Sequence, residues 1–557
     1  MTFTETVQFA INESTRFISP KSVAAEWVLA GLALVLPAAL PMKWLGPMHD
    51  AFVKLANRRR TAILLCGLLP IVVRLSLLPW MPVPDPSIHD EFSHLLLADT
   101  LAHGRLANPT HPMWRHFETI HVIQKPTYAS MYPPTQDSML ALGEVVFHQP
   151  WAGVMMSVGI MCAVICWMMQ GWLPPAWALY GTLLVILKIG VQGLWMNNFM
   201  GAPASTIAGA LLIGCVARLR DGEVSGYIAA LFGLALALLM NTRPFEGGLL
   251  AAAALLYVGR AFWREPRRLL VPALVVFSCG ALFTGYYDWR VTGSPIRMGY
   301  QVNRDTYGWP ENLGFLAAKK PVIQNDVLRN MYLKEVNHRS IYKSVDALLD
   351  NLTTRLFENW IVLIGPLLTI PLLYLSGVLR DKKIRPLVLF IVLIAILNLF
   401  QMVLYPFHLG PIVGAIFAIV TAGVMQLSRQ AKSIRFAAAL PLFLILIGVM
   451  KQEARALDLP LSYWEVTAEP HGEPRAEITE WLSRRQAKQL VMVHYAPWHN
   501  PDQEWVYNGA DIDGSKIVWA RALGPEEDAA LEKYFSGREI WSLNADVLPA
   551  HLVAVTR

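Results

Sequence analysis

Long apolar runs recur through most of this sequence, and they constrain its fold more than any other feature. A helix needs roughly 20 apolar residues to cross about 30 Å of hydrocarbon, and inside a bilayer its backbone N–H and C=O groups must pair within the segment. Hydrophobic residues make up 54% of the 557 residues, and charged residues only 16%. This composition excludes disordered chains, collagen-like chains and nucleic-acid-binding tails, and it predicts an α-helical polytopic membrane protein.

About twelve of these runs are long enough to span a membrane, so we expect about 11–12 transmembrane helices. They lie near residues 23–41, 61–81, 151–171, 174–193, 203–219, 225–241, 247–263, 269–288, 359–378, 386–404, 409–427 and 434–450. The first run contains Pro37 and Pro41, and its role is left open between a span and a re-entrant or interfacial segment. The first 22 residues are polar, so we expect no cleavable signal peptide.

Lys and Arg residues are distributed unevenly between the loops that connect these runs. Among the short loops, one alternate set contains nearly all of them: Lys43, Lys54, Arg58, Arg59, Arg60, Arg218, Arg220, Arg260, Arg264, Arg267, Arg268, Arg380, Lys382, Lys383, Arg385, Arg429, Lys432 and Arg435. The opposite short loops contain only Arg243. Because short loops rich in Lys and Arg stay in the cytoplasm, we expect residues 82–150, residues 289–358 and the tail to be extracytoplasmic.

Charged and polar residues return after the last apolar run. Residues 1–452 are therefore predicted to form a membrane domain, and residues 453–557 a small extracytoplasmic α/β domain. The spacing of apolar positions predicts helices in AEITEWLSRRQAK and PEEDAALEKYF, and strands in QLVMVHY and KIVWARAL. Asp511 and Asp513 form a DxD pair in this tail, which we predict to be a turn.

Residues 82–150 contain the most informative polar pattern. Asp90 and Glu91 are adjacent, just after a proline-containing turn and at the start of a helical stretch. Carboxylates near a helix N-terminus are stabilised by the helix dipole, so one interpretation of the two acids is a helix cap. The other is a general base or a metal ligand at the membrane surface. Asp99 and His103 share a helix face at i and i+4, and we predict that they form a structural pair.

The order of motifs in this loop resembles that of a known family. The acid pair begins the helical pattern DEFSHLLLADTLAHGRL, and FE, KP and YPP elements follow before the next apolar run. This order is similar to the GT-C superfamily of integral-membrane glycosyltransferases, and most similar to the bacterial branch related to lipid A aminoarabinose transferases and protein O-mannosyltransferases. The resemblance covers residues 61–450. It implies a polyprenyl-phosphate or pyrophosphate sugar donor, and transfer with inversion at the periplasmic face of a bacterial inner membrane.

The resemblance also implies roles for particular residues. The catalytic base of the family, a first-loop aspartate, corresponds to Asp90, with Glu91 as its neighbour. The glutamate and lysine of the family's FEKP element contact metal or donor phosphate. They correspond to Glu118 and Lys125, although an insertion separates the two halves of the element here. Ligation of a divalent metal cofactor by Asp90 and Glu118 is therefore left open.

Further candidate residues lie in the other outward loops. Arg243 has a guanidinium suited to bidentate phosphate binding, and His408 lies at a comparable depth beside a tight turn. We expect both, together with Lys125, to bind the donor phosphate. Aromatic and amide side chains suit stacking on sugars and bonding their hydroxyls. The cleft for sugar and acceptor is predicted to contain Glu118, Tyr132, Glu246, Tyr300, Gln301, Tyr307 and Trp309.

Together these patterns predict a membrane glycosyltransferase that uses a polyprenyl-linked donor and a glycan, lipid or protein acceptor, with no nucleic-acid partner. One alternative is a transporter or flippase of lipid-linked sugars, which would show repeated halves and charges near the bilayer midplane. No repeat is visible in the sequence, and Arg74 and Lys188 lie within predicted spans without an assigned role. A second alternative is an oligosaccharide ligase or polymerase, which would use the same kind of donor.

Overall fold

The structure is a computed structural model that describes residues 20–36, 42–307, 323, 325–338, 344–401, 405–430, 434–456, 474–500, 503–547 and 550–555. The helices are α1 (Pro20–Val35), α2 (Met42–Asn57), α3 (Arg59–Ser76), α4 (His89–Ala102), α5 (Thr135–Phe147), α6 (Pro150–Met169), α7 (Pro175–Val185), α8 (Ala202–Arg220), α9 (Gly226–Met240), α10 (Pro244–Arg264), α11 (Val271–Thr292), α12 (Gly299–Tyr307), α13 (Asp326–His338), α14 (Val345–Leu363), α15 (Gly365–Leu372), α16 (Leu375–Val378), α17 (Arg385–Leu399), α18 (Val413–Gln430), α19 (Arg435–Ala456), α20 (Pro474–Ser483) and α21 (Pro525–Tyr534). The strands are β1 (Asn108–Pro109), β2 (Val122–Ile123), β3 (Thr127–Ser130), β4 (Gln489–His494), β5 (Ile517–Arg521), β6 (Glu539–Asn544) and β7 (Leu552–Ala554).

Within the described ranges, six helical segments are long and apolar enough to cross a membrane: Pro150–Met169, Ala202–Arg220, Pro244–Arg264, Pro266–Thr292, Pro406–Gln430 and Arg435–Ala454. A seventh would be α14 joined to α15, which meet at 93°. Shorter apolar helices are Pro175–Gly190, Gly226–Met240 and Arg385–Leu397. The predicted class of α-helical polytopic membrane protein is confirmed, but fewer helices have full spanning length than the 11–12 expected.

The other expected spans differ from simple membrane helices in charge or continuity. α1 has 16 residues. It contains the buried Glu26, whose Oε1 is 2.6 Å from Nζ of Lys451. α3 contains three arginines. The run at residues 359–378 is divided because the backbone turns at Gly365, whose φ is +66°. Apolar composition located these segments but did not predict the ion pair of the buried Glu26 or the turn at Gly365.

The two charged residues predicted inside spans have partners in the structure. Arg74 is buried, and its terminal nitrogens donate to the backbone carbonyls of Met81 and Pro82, both at 2.7 Å. Lys188 Nζ donates to the carbonyl of Ile361 at 3.0 Å. Arg74 thereby attaches the end of α3 to the start of the first outer loop.

The first outer loop folds into α4, a three-stranded antiparallel sheet of order β1-β3-β2, and α5. Val122 pairs with Ser130, so β2 and β3 form a short hairpin. This hairpin is attached to α4 because Ser93 Oγ donates to the carbonyl of His121 at 2.8 Å. The attachment fixes where His121 lies relative to the N-terminus of α4.

The tail forms a four-stranded sheet of order β5-β4-β6-β7. β4 runs parallel to β5 and β6, whereas β6 and β7 are antiparallel. Together with α20 and α21, the sheet confirms the predicted α/β character of the tail. In the DxD pair, Gly514 N donates to Asp511 Oδ1 at 2.9 Å within a turn, and Asp513 Oδ1 lies 3.1 Å from His111 Nε2 in the first loop.

The tail and the first outer loop share one hydrophobic core. Its buried members are Phe92, Leu96, Phe117, Val122, Tyr128, Leu490, Met492, Tyr507, Ala510, Ile512, Val518, Ala520, Leu531, Phe535 and Ile540. The predicted Asp99–His103 pair forms, at 2.9 Å between carboxylate and ring nitrogen. The other oxygen of Asp99 accepts a hydrogen bond from Ala510 N at 2.7 Å. The described part of the tail is therefore held against the loop that carries Asp90.

Candidate active site

Asp90 lies at the centre of a group of titratable side chains in the first outer loop. Its Oδ2 is 3.2 Å from His89 Nε2, and its Oδ1 is 3.3 Å from His121 Nδ1. The Tyr132 hydroxyl donates a hydrogen bond to Asp90 Oδ1 and lies 2.9 Å from His121 Nδ1. We call these four residues the Asp90 group. Because the Asp90 side chain is 24% exposed, a substrate can reach the carboxylate.

The surroundings of Asp90 determine its protonation state. Burial alone would raise the pKa of this carboxyl. The charges of His89 and His121 and the hydrogen bonds from His121 and Tyr132 outweigh burial and hold the pKa well below its usual range. Burial and the charge of Asp90 raise the pKa of Tyr132 well above its usual value. At neutral pH the pair therefore consists of a carboxylate and a neutral phenol that donates to it.

The backbone at His121 has an uncommon conformation. Its φ of +61° lies in the left-handed region, which residues other than glycine rarely adopt. The His121 carbonyl accepts hydrogen bonds from Ser93 Oγ at 2.8 Å and from Met131 N at 3.1 Å, so α4 and the end of β3 together hold this conformation. Such conformations cluster at functional sites, where the surrounding structure maintains them. With this backbone conformation, the His121 imidazole lies beside the Asp90 carboxylate, at 3.3 Å between Nδ1 and Oδ1.

The neighbouring acid, Glu91, has different partners. It is buried, and its Oε2 accepts from the backbone nitrogens of Ser87 at 2.9 Å and Ile88 at 3.4 Å. Its Oε1 accepts from Phe199 N at 3.1 Å. Both oxygens are thus used to cap α4 and to hold the loop before α8. Because successive helical residues point about 100° apart, Asp90 and Glu91 face different surroundings, and the prediction of a shared catalytic role for Glu91 is not retained.

Arg243 and His408 come from different segments and meet at one aromatic ring. Cζ of Arg243 lies 5.4 Å from the centre of the Phe407 ring, and the centre of the His408 ring lies 4.9 Å from it. Burial raises the pKa of Tyr132 and of Tyr300, and the charge of Arg243 opposes that rise in both phenols. Arg243 is therefore close enough to the Asp90 group to act on it electrostatically.

The predicted cleft residues have different environments. Tyr300 meets Tyr132 edge to face, with ring centres 5.5 Å apart, and so lies against the Asp90 group. Gln301 is exposed, and its Oε1 accepts a backbone hydrogen bond at 3.0 Å that caps α12. Glu246 is buried in the first turn of α10. Trp309 lies outside the described residues.

The FEKP-like residues contact residues other than those of the Asp90 group. Glu118 Oε1 accepts from the Tyr307 hydroxyl at 3.0 Å, and burial raises the pKa of Glu118. Lys125 is exposed in the turn between β2 and β3, with Nζ 4.2 Å from the centre of the Trp114 ring. It follows His121 by four residues along the hairpin, which corresponds to about 13 Å at roughly 3.3 Å per residue. The hairpin therefore separates Lys125 from the Asp90 group.

Three residues of the Asp90 group offer ligand atoms for a metal ion. One atom from each of His89, Asp90 and His121 lies within 4.8 Å of the others. Two imidazoles and a carboxylate are ligands that zinc accepts, with a position left open for water or substrate. The residues therefore fit a divalent ion. Within the described ranges the group that could hold an ion combines Asp90 with two histidines and does not include Glu118, whose ligation was left open.

Neither histidine of the Asp90 group is among the residues predicted from the sequence. His89 directly precedes Asp90, and the HDE run was a local signal that could have indicated it. His121 has no comparable signal, because its contact with Asp90 arises only when the hairpin folds onto α4. Its left-handed backbone cannot be read from the sequence either, since histidine rarely adopts it.

No family model matches this sequence, and no curated protein matches it significantly. Among solved structures, an oligosaccharyltransferase of Archaeoglobus fulgidus in complex with Zn and sulfate aligns over 87% of this chain and 67% of its own, with 8% identity and a TM-score of 0.48. ArnT from Cupriavidus metallidurans bound to undecaprenyl phosphate aligns over 86% of this chain and 92% of its own, with 11% identity and a TM-score of 0.48. Both are GT-C membrane glycosyltransferases, the group that the sequence resembles. At this similarity no residue role or substrate is transferred from them.

Proposed function

We propose that this protein is a GT-C-type membrane glycosyltransferase. It moves a sugar from a polyprenyl-phosphate lipid to a hydroxyl of a glycan, lipid or protein acceptor at the periplasmic face of a bacterial inner membrane. The observation that carries this proposal is the Asp90 group, an accessible carboxylate held ionised by two histidines and a phenol. A cation that acts on the same phenol, Arg243, supplies the charge that a lipid phosphate needs.

Asp90 acts as the general base of an inverting displacement. The acceptor oxygen attacks the anomeric carbon from the side opposite the phosphate, and the bond between that carbon and the phosphate oxygen breaks. The acceptor proton passes to Asp90. Because the new bond makes the acceptor oxygen strongly acidic, a carboxylate with a low pKa still accepts this proton. Tyr132 and His121 keep the carboxylate in position.

Arg243 and His408 bind the leaving phosphate. Its negative charge grows as the sugar bond breaks, and donors that are already in place stabilise this charge most effectively. A guanidinium can form two parallel hydrogen bonds to phosphate. A divalent ion bound by His89, Asp90 and His121 would supply Lewis-acid chemistry at the site.

The experiment is incubation of the purified protein with a panel of polyprenyl-phosphate sugars, with loss of the sugar followed by mass spectrometry. We expect the wild type to consume at least one donor. Asp90→Asn should lower the rate by at least about 100-fold, the range for loss of a general base. Asp50→Asn changes an exposed aspartate of α2 and should keep the wild-type rate. A transporter would leave every donor chemically unchanged, and full turnover by Asp90→Asn would contradict the role of the base.

A further inference from the structure

Buried polar atoms without hydrogen-bond partners lie in the first turn of α5. Gln136 is 2% exposed and Asp137 is 0% exposed. Neither Oε1 nor Nε2 of Gln136, nor Oδ2 of Asp137, has a hydrogen-bond partner among the residues that the structure describes. Buried polar groups in folded proteins are nearly always paired, and an unpaired set indicates a water, an ion or a ligand that completes it.

These atoms lie close to the Asp90 group. The other oxygen of Asp137, Oδ1, is 2.7 Å from His94 Nδ1. His94 follows Asp90 by one turn of α4, so the two share a helix face. The His94 ring stacks on the Tyr132 ring at 4.3 Å and 12°, and the Tyr132 hydroxyl donates to Asp90. A single aromatic layer therefore separates the Asp137–His94 pair from the carboxylate.

The backbone at Gly201 lies beside Gln136 and His94. Gly201 precedes α8 with φ of −78°, a conformation open to any residue. A Cβ at Gly201 would meet Gln136 Cβ at 3.7 Å and His94 Cε1 at 4.0 Å. Both distances are ordinary contacts, so a methyl group fits there and would touch both side chains.

We propose that Gln136, Asp137 and His94 form a subsite that hydrogen-bonds the hydroxyl groups of the donor's sugar. This inference rests on the proposed function, because the sugar is the one that is transferred. An amide supplies one acceptor and one donor group, and a carboxylate oxygen supplies a further acceptor. This set suits adjacent hydroxyls of a pyranose or furanose ring. Because the other oxygen of Asp137 already has His94 as its partner at 2.7 Å, the remaining polar atoms suit the hydroxyls of a neutral hexose or pentose.

Binding measurements test this subsite without requiring turnover. The probes are undecaprenyl phosphate and undecaprenyl phosphates that carry mannose, glucose or arabinose, titrated against the full-length protein in detergent. The wild type should bind at least one sugar-bearing lipid more tightly than undecaprenyl phosphate itself. Gln136→Leu removes both polar atoms of the amide at similar volume. It should reduce this preference about tenfold, as expected for the loss of two hydrogen bonds, while binding of the sugar-free lipid stays unchanged.

Gly201→Ala is the second variant, because its methyl group would contact both Gln136 and His94 at ordinary van der Waals distances without a clash. It should also reduce the preference for the sugar-bearing lipid. Matched controls are Gln503→Leu at an exposed glutamine of the tail and Gly248→Ala on α10, where a Cβ meets nothing within 4 Å. Both should bind all probes as the wild type does.

Two results would overturn the subsite. The first is equal binding of sugar-bearing and sugar-free lipids by the wild type. The second is an unchanged preference for the sugar-bearing lipid in both Gln136→Leu and Gly201→Ala. That second result would mean that only water forms hydrogen bonds with the buried atoms of Gln136 and Asp137. Failure of the proposed function gives a different pattern. In that case the wild type prefers a sugar-bearing lipid but consumes none.

Discussion

The partners of Asp90 give this single residue its chemical character. Burial favours the protonated form, while two imidazoles and one phenol favour the carboxylate. The effects that favour the carboxylate are together larger than the effect of burial, so Asp90 is ionised over the whole physiological pH range. Glu91, its neighbour in the chain, accepts backbone hydrogen bonds instead. Two adjacent acids thus have different roles because their side chains leave the helix in different directions.

Tyr132→Phe should move the acid limb of transfer activity to higher pH. The Tyr132 hydroxyl donates to Asp90 and is one of the causes that lower its pKa. Without it the pKa rises towards the ordinary aspartate value of about 4. Because transfer needs the ionised carboxylate, activity is then lost sooner as the pH falls. The measurement is kcat/KM across about pH 3 to pH 8.

Tyr257→Phe, which changes an exposed tyrosine of α10, is the control for this pH profile and should leave it unchanged. If Tyr132→Phe and the wild type lose activity at the same acidic pH, the Tyr132 hydroxyl does not lower the pKa of Asp90.

Among the elements, α12 positions the cleft by its close contact with the first loop. A Cβ on Gly299, the first residue of α12, would lie 2.8 Å from the carbonyl oxygen of Met131. Only glycine permits this approach, and the next residue, Tyr300, consequently reaches Tyr132. The second outer loop is thereby joined to the end of the β2–β3 hairpin.

Gly299→Ala should displace α12 from the hairpin. The added methyl would meet a backbone oxygen that cannot move freely, and overpacking of this kind costs about 1–3 kcal/mol. We expect a lower thermal midpoint in detergent and a lower kcat/KM, because Tyr300 moves away from the Asp90 group. Gly259→Ala on α10, where a Cβ meets nothing within 4 Å, should change neither quantity. Unchanged activity in Gly299→Ala would indicate that the position of α12 does not matter for transfer.

Across the whole molecule, the α/β tail and the first loop behave as one packed unit. The rings of Phe92 in α4 and Tyr507 in the tail stack at 4.7 Å and 11°. The Tyr507 hydroxyl also donates to the carbonyl of Ile120, just before His121, at 3.0 Å. The tail therefore supports the segment that brings His121 to Asp90, although the two are far apart in the chain.

A double-mutant cycle with Phe92→Leu and Tyr507→Leu tests this packing. Stacked aromatic pairs contribute about 0.5–1.5 kcal/mol beyond the area they bury, so the two changes should be non-additive by that amount in the free energy of unfolding. Denaturant unfolding in detergent supplies the measurement. Phe92→Leu combined with Tyr257→Leu should be additive. Additivity in the first pair would mean that the tail does not pack on α4 in solution.

The sequence determined the features that depend on neighbouring residues. Apolar runs specified membrane helices because a bilayer demands a self-paired backbone of that length. Alternating and helical spacing specified the α/β tail, and the turn before Asp90 placed this acid at the start of a helix. Each of these signals lies within about 20 residues of chain.

Only the tertiary structure decided which distant residues meet. It placed His121 and Tyr132 at Asp90, left Lys125 at the far end of the hairpin, and joined Arg243 to His408 through Phe407. It also made one core from the first loop and the tail. The physical reason is that such contacts follow from the packing of whole elements against one another. A local pattern of residues specifies an element but not its neighbour.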